Sequence, residues 1–232
     1  MKAAVLAGGA GTRLSPVTHY VPKCMIPVGG HPFLNYVIKY LKSHDVKDII
    51  LLVSNEDYSI FHSYFDDGDR YGVKISYSTA PRIGTAGAIK AARKYLNSSF
   101  IVYYGDVFTD MDLTKMINFH RRKKSMCTVA LSRRLQIEYG VGKIKKGGKL
   151  SYFEEKPVVK DYPVSMGIFI LKPAAIEYCE PNTDLSSDVI PKLMKKRFPV
   201  YGYITDHRHY DIGSFKRLEE IRGILKERGP ES

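Results

Sequence analysis

Between residues 2 and 132 the chain alternates short apolar runs with segments of helical spacing, and this rhythm restricts the folds open to it more than any other feature. The apolar runs are KAAVLA (2–7), DIILLVS (48–54), VKISYS (73–78), FIVYYG (100–105) and CTVALS (127–132). Runs this short, rich in Val, Ile, Phe and Tyr, read as buried strands. HPFLNYVIKYLKSH (31–44) places Phe33, Leu34, Val37, Ile38 and Leu41 on one side of a helix, and Pro32 suits a first helical turn. TAGAIKAARKYL (85–96) does the same with Ile89, Ala92 and Leu96. Strand and helix in alternation predict an α/β fold: an open, mostly parallel mixed sheet with helices on both faces.

After residue 133 the rhythm changes. VGKIKKGGKLSYFEE holds two alternating runs around Gly147 and Gly148, the pattern of a β-hairpin. VSMGIFILK (164–172) and VYGYIT (200–205) read as further strands. SSDVIPKLMKK (186–196) reads as a helix despite Pro191, and GSFKRLEEIRGILKER (213–228) as a closing amphipathic helix. No repeat, linker or shift in composition divides the 232 residues, so one domain over 1–232 is expected, with halves meeting near residues 133 and 134.

The chain carries a formal net charge of +12, a field that attracts phosphate in any form. The densest basic runs, HRRKK (120–124), KIKKGGK (143–149) and KKR (195–197), read as solvated helix ends or a hairpin tip. No stacking strand, helix-turn-helix or zinc pattern accompanies them, so nucleic acid is not an expected partner. No run approaches the roughly 20 apolar residues of a membrane span, and AAVLA is too short for a signal-peptide core. A soluble, cytoplasmic protein is expected. Cys24, Cys127 and Cys179 are too far apart for a C-x-x-C pattern and read as packing residues.

Directly after the first apolar run stands LAGGAGTRL (6–14), followed by VPKCMIPVGG (21–30). A glycine-rich turn after a strand exposes backbone N–H groups with no Cβ in the way, so a pyrophosphate can approach closely. The dinucleotide fingerprint fails, because Leu14 stands where its third glycine belongs. A P-loop fails too, since Gly11-Thr12-Arg13 is not Gly-Lys-Ser/Thr. Arg13 supplies a planar fork for phosphate oxygens and Lys23 a mobile point charge, both flanking a loop already suited to anions.

The whole string LAGGAGTRLSPVTHYVPKCMIPV closely resembles the signature of the sugar-1-phosphate nucleotidyltransferases, also called nucleotide-sugar pyrophosphorylases. The resemblance implies a Rossmann-like nucleotidyltransferase fold with a small β-hairpin sugar-binding lobe, and nucleotide contacts at Leu6, Ala7, Gly8, Gly9, Gly11 and Thr12. Later segments resemble the family's landmarks in order, from about residue 2 to residue 222. IGTAGAIKAARKYL (83–96) implies base contacts at Gly84 and Thr85, where Thr85 also reads as a helix cap. FIVYYGDVF implies that Asp106 holds Mg²⁺, and YDIGSFKRLEEI implies that Asp211 is the second metal carboxylate. EYGVGKI (138–144), FEEKP (153–157) and SMGIFIL imply sugar-phosphate contacts at Gly140, Glu155, Lys156 and Gly167. The left-handed β-helix that many relatives carry at the C-terminus is not expected, because there is no hexapeptide repeat.

One stretch departs from the family pattern. In STAPRIGTAGAI, Thr79 occupies the position of a base-reading carboxylate or amide, and Arg82 stands where proline is usual. The resemblance implies an NTP and a sugar 1-phosphate as substrates and Mg²⁺ as cofactor, with Arg13, Lys23 and Asp106 as the catalytic groups. GTAGA leans towards GTP with mannose-1-phosphate, ahead of dTTP or UTP with glucose-1-phosphate. Transfer of CTP's nucleotidyl group to phosphocholine, and a non-catalytic regulatory subunit that keeps the fold, are the rival readings. The sequence leaves a homo-oligomer open.

Overall fold

The computed structural model describes residues 1–136, 141–159 and 162–227. Seven strands form the main sheet: β1 (Lys2–Leu6), β2 (Asp48–Ser54), β3 (Lys74–Ala80), β4 (Phe100–Tyr104), β5 (Cys127–Ser132), β6 (Val164–Leu171) and β7 (Val200–Thr205). Their order across the sheet is β7-β5-β6-β4-β1-β2-β3. Every pairing is parallel except those of β6, which runs antiparallel to both β4 and β5. The mostly parallel sheet expected from the sequence is thus the one observed, with a single reversed strand where the rhythm changes.

Alternate residues of the strands feed two apolar cores, as the period of two requires when both faces are covered. Ala3 and Val5 face one way, into a core shared with helices α1 (Phe33–Ser43), α2 (Tyr58–Phe65), α4 (Leu113–Lys123) and α6 (Phe215–Glu227). Ala4, Ile50 and Leu52 face the other way, onto α3 (Gly84–Ala91), the turn Pro173–Tyr178 and α5 (Ile190–Lys195). Pro191 is accommodated because it falls in the first turn of α5, where its missing N–H is not needed. The helix expected at 186–196 is present, its first turns π-helical over Leu185–Val189 and running directly into α5.

The three basic runs lie where their pattern puts them. His120–Lys124 ends α4, Lys195–Arg197 ends α5, and Lys145–Lys149 is the tip of a hairpin joining Val141–Ile144 to Leu150–Glu154. Gly147 and Gly148, with φ of +86° and +85°, supply the left-handed conformations of that tip. The hairpin is an exposed arm: Ile144, Leu150, Tyr152 and Phe153 all face solvent. All three cysteines are free and buried, as expected of packing residues. Among the described residues no helix is long and apolar enough to cross a membrane.

Candidate active site

Parallel strands β4, β1, β2 and β3 end along one edge of the sheet, which is where open α/β sheets offer a crevice to ligands. A cavity of 330 Å³ opens there, lined by the first loop, the ends of the four strands and the first turn of α3.

The floor of the cavity depends on close backbone approach. Gly8 presses on β2, where a Cβ would stand 2.9 Å from the Ser54 backbone nitrogen. Gly105 packs against β1 and donates its N–H to the Leu6 carbonyl at 2.9 Å, so a Cβ there would meet the same carbonyl. Gly11, at φ +62°, turns the chain into the short helical turn Thr12–Leu14, and Thr18 Oγ1 donates to its carbonyl at 3.0 Å. The glycine turn thus rests on close backbone approach at Gly8 and Gly105 and on the Thr18 hydroxyl at Gly11.

Lys23 lies on a second short turn, Lys23–Met25, whose neighbours Cys24 and Met25 are buried beneath it. Its ammonium donates to the Asp106 carboxylate; the two side chains are 11% and 26% exposed. Burial, then the charge of Asp106, push the Cys24 thiol far above its ordinary range, so it stays protonated as a packing group. Asp106 is tied to the next carboxylate through the backbone: Ile212 N–H donates to the Asp106 carbonyl at 3.0 Å, and Asp211 pairs with Val107 in a small antiparallel ribbon. Asp211 accepts from Gly213 N–H at 2.7 Å and from the guanidinium of Arg217. The Arg13 guanidinium lies beside the same turn, 3.3 Å from where a Cβ on Gly213 would stand. Burial lowers the pKa of His209, two residues before Asp211, against the opposing pull of the Asp211 charge.

The opposite wall is the start of α3. Gly84 adopts φ +76°, and any Cβ on it would run into the Thr183 carbonyl. Thr85 was expected to cap its own helix, but its hydroxyl donates to Asp184 Oδ1 at 2.8 Å and accepts from Leu185 N–H at 2.8 Å. No side chain at the N-cap position, Ile83, serves α3; Asp184 from a distant segment receives the Thr85 N–H instead, at 3.4 Å. Asp184 is a cavity residue that the sequence reading passed over. Its only signal was its place among acids and hydroxyls in TDLSSD, which reads as an ordinary helix start.

Leu6, Gly8, Gly9, Lys23, Gly84, Thr85 and Asp106 all line the cavity. Ala7 is buried beside it, with its N–H on the Leu52 carbonyl, and Thr12 lines a neighbouring cavity of 660 Å³. Thr79 is exposed and outside the lining, whereas Ser78 and Ala80 on either side of it line the cavity. Gly167, at φ +70°, lies behind Tyr104, 3.2 Å from a Cβ it lacks, and so backs a lining residue rather than lining the cavity itself. Glu155 and Lys156 occupy an exposed bend after the hairpin, outside the lining. Gly140 lies outside the described residues.

The chemistry of this edge is that of an anion site: open N–H groups, Lys23 and Arg13, with carboxylate Asp106 in the turn after β4 and Asp211 at the end of the adjoining ribbon strand. Residues 2–228 match the family described as Nucleotidyl transferase. Among curated proteins, a UTP–glucose-1-phosphate uridylyltransferase of a Synechocystis species is 34% identical over 97% of this chain, which spans 63% of that relative's length. A D-glycero-alpha-D-manno-heptose 1-phosphate guanylyltransferase of Aneurinibacillus thermoaerophilus is 33% identical, covering 92% of this chain and 93% of the relative. Among solved structures, HddC from Yersinia pseudotuberculosis complexed with GMP-PN superposes with a TM-score of 0.74 at 28% identity, covering 96% of this chain and 98% of that one. With its sheet, glycine turn and charged edge matched almost end to end, the chain belongs to the nucleotidyl transferase family, alongside relatives named for transfer to sugar 1-phosphates.

Proposed function

We propose that the chain transfers a nucleotidyl group from an NTP to a sugar 1-phosphate and releases pyrophosphate, with GTP and a manno-configured sugar 1-phosphate, mannose-1-phosphate included, as the substrate pair. The observation that carries the reaction is the 330 Å³ cavity in which the open glycine turn faces Lys23 and Asp106. The preference for GTP and a manno configuration is supported by the heptose 1-phosphate guanylyltransferase, which this chain matches at nearly full length on both sides.

The sugar phosphate oxygen attacks the α-phosphorus in line, and pyrophosphate leaves from the opposite side. The nucleophile is already ionised at neutral pH, so no general base is required. What the protein must supply is positive charge where two phosphates meet. In this reading Arg13 and the N–H groups of the turn hold the leaving phosphates, Lys23 stabilises charge at the α-phosphate, Lys156 pairs with the phosphate of the sugar substrate, and Glu155 accepts hydrogen bonds from the sugar hydroxyls. Thr85 and Asp184 fix the wall against which the nucleoside lies.

Asp106 and Asp211 fit a magnesium ion chemically. They are hard oxygen donors brought together by the Ile212-to-Asp106 backbone hydrogen bond, and such ions favour one or two carboxylates plus substrate phosphates over a full protein cage. When bound, the metal would supply positive charge between the phosphates. Lys23 and Arg217, which pair with these carboxylates in the free protein, would exchange that partner for substrate or solvent.

The test is pyrophosphate release with Mg²⁺ across five NTPs, dTTP included, against mannose-, D-glycero-α-D-manno-heptose-, glucose- and N-acetylglucosamine-1-phosphate. Turnover confined to GTP with the manno-configured phosphates is expected. Turnover with UTP or dTTP and glucose-1-phosphate would refute the substrate pair, and a blank grid with folded protein would refute the reaction.

A further inference from the structure

Arg82, the residue at which the family resemblance breaks, stands between two cavities: the 330 Å³ cavity of the candidate site and the 660 Å³ cavity under the loop that follows the glycine turn. Its guanidinium is held from one side by two carboxylates on the β2–α2 connection. One terminal nitrogen lies 3.3 Å from Glu56 and the other 3.2 Å from Asp57. Asp57 is itself fixed, accepting from Ser54 Oγ at 2.7 Å while its own N–H donates back to that hydroxyl at 3.1 Å. The planar fork is therefore braced, and its side chain remains 46% exposed. A guanidinium carries five N–H donors, more than the two carboxylates use, and Arg82 lines both cavities whereas Glu56 and Asp57 line only the larger one.

The location of Arg82 decides what it can meet. Asp106 follows β4 and Arg82 follows β3, with β1 and β2 between them. Three strand spacings separate the two, about 14 Å in all. A nucleotide whose phosphates lie at Lys23 and Asp106 reaches the Arg82 end of the cavity with its base. There a fixed fork of donors discriminates: guanine presents two adjacent acceptors, O6 and N7, whereas adenine sets an amino donor beside N7 and cytosine presents a donor amino group.

The geometry points to Arg82 as a specificity-determining residue that selects guanine by donating to O6 and N7, with Glu56 and Asp57 as the residues that position it. This inference rests on the guanylyl reading above.

The experiment is calorimetric titration of wild type and Arg82→Ala with GTP, 7-deaza-GTP, ATP, UTP, CTP, dTTP and inorganic pyrophosphate. Arg82 is half exposed and outside the cores, so the variant is expected to fold, and circular dichroism checks this. Wild type should bind GTP most tightly, and about tenfold more tightly than 7-deaza-GTP, which lacks the N7 acceptor. Arg82→Ala should lose roughly ten- to a hundredfold in GTP affinity, lose the distinction between GTP and 7-deaza-GTP, and bind pyrophosphate and the other NTPs as wild type does. A parallel loss for every NTP and for pyrophosphate would overturn the inference and make Arg82 a phosphate ligand. A variant that keeps the GTP preference would overturn the role of Arg82 while leaving the guanylyl reading intact. A wild type with no preference for GTP would overturn both.

Discussion

Replacing Lys23 with methionine keeps most of the side chain's volume and removes its charge, which separates two jobs that one ion pair performs. In the folded protein the Lys23 side chain is 11% exposed and its ammonium faces Asp106, whose side chain is 26% exposed. Breaking a fully buried pair from one side costs about 3–5 kcal/mol, because the remaining charge is stranded. Asp106 keeps about a quarter of its surface in water, which reduces the expected loss to about 1–2 kcal/mol, or roughly 2–8 °C in Tm for a chain of this size. Catalysis should suffer more. A charged group aimed at phosphate charge that develops in the transition state is worth about 3–4 kcal/mol, a factor of roughly 10²–10³ in kcat. The double variant Lys23→Met/Asp106→Asn removes both charges, so thermal unfolding should return close to wild type while pyrophosphate release stays lost. If Lys23→Met turned over within about threefold of wild type, the phosphate role would be refuted. A double variant as unstable as the single one would refute the stranded-carboxylate argument.

Two further predictions concern the scaffold. His120 is buried in α4, with Nδ1 2.8 Å from Thr128 Oγ1 and Nε2 unpaired, and burial lowers its pKa to about 4. Because the unfolded chain protonates this ring near pH 6.5 and the folded one does not, stability should fall as pH drops from 6.5 towards 4, by about 3 kcal/mol at 1.36 kcal/mol per pH unit. Urea unfolding across that range should show a shallower slope in His120→Asn. Gly84→Ala would force a Cβ onto the Thr183 carbonyl at a φ of +76°, and should cost about 2–4 kcal/mol in urea unfolding while raising the KM for NTP.

Much of the fold was legible because its signals are local. The apolar runs at 48–54 and 127–132 became β2 and β5, and Gly147-Gly148 marked the hairpin tip. The glycine turn was legible for the same reason, since Gly8 and Gly11 declare a backbone constraint within a few residues. What was missed depends on contacts that the order of residues does not display. Thr85 looked like a cap and became a bridge to Asp184, a residue 99 positions away. Thr79 was picked out by its position in a motif, and only the fold shows that Ser78 and Ala80 are the residues of β3 that line the cavity. Arg82 read as a mismatch, and only the fold shows that Glu56 and Asp57 brace it.

The one reversed strand also shapes how the chain can emerge from the ribosome. β4 ends at Tyr104 and pairs on its far side with β6, which ends at Leu171. For about 65 residues of elongation, several seconds at typical rates of synthesis, the strand that leads into Asp106 has an unpaired, apolar edge. Such an edge is a template for mispairing with other nascent chains. The hairpin arm and β5 are both made within that interval, so the exposed apolar residues of the arm enter the cell together with the open edge of β4. Completion of β6 closes the open edge of β4, and a chain stalled before residue 164 would be expected to aggregate rather than wait.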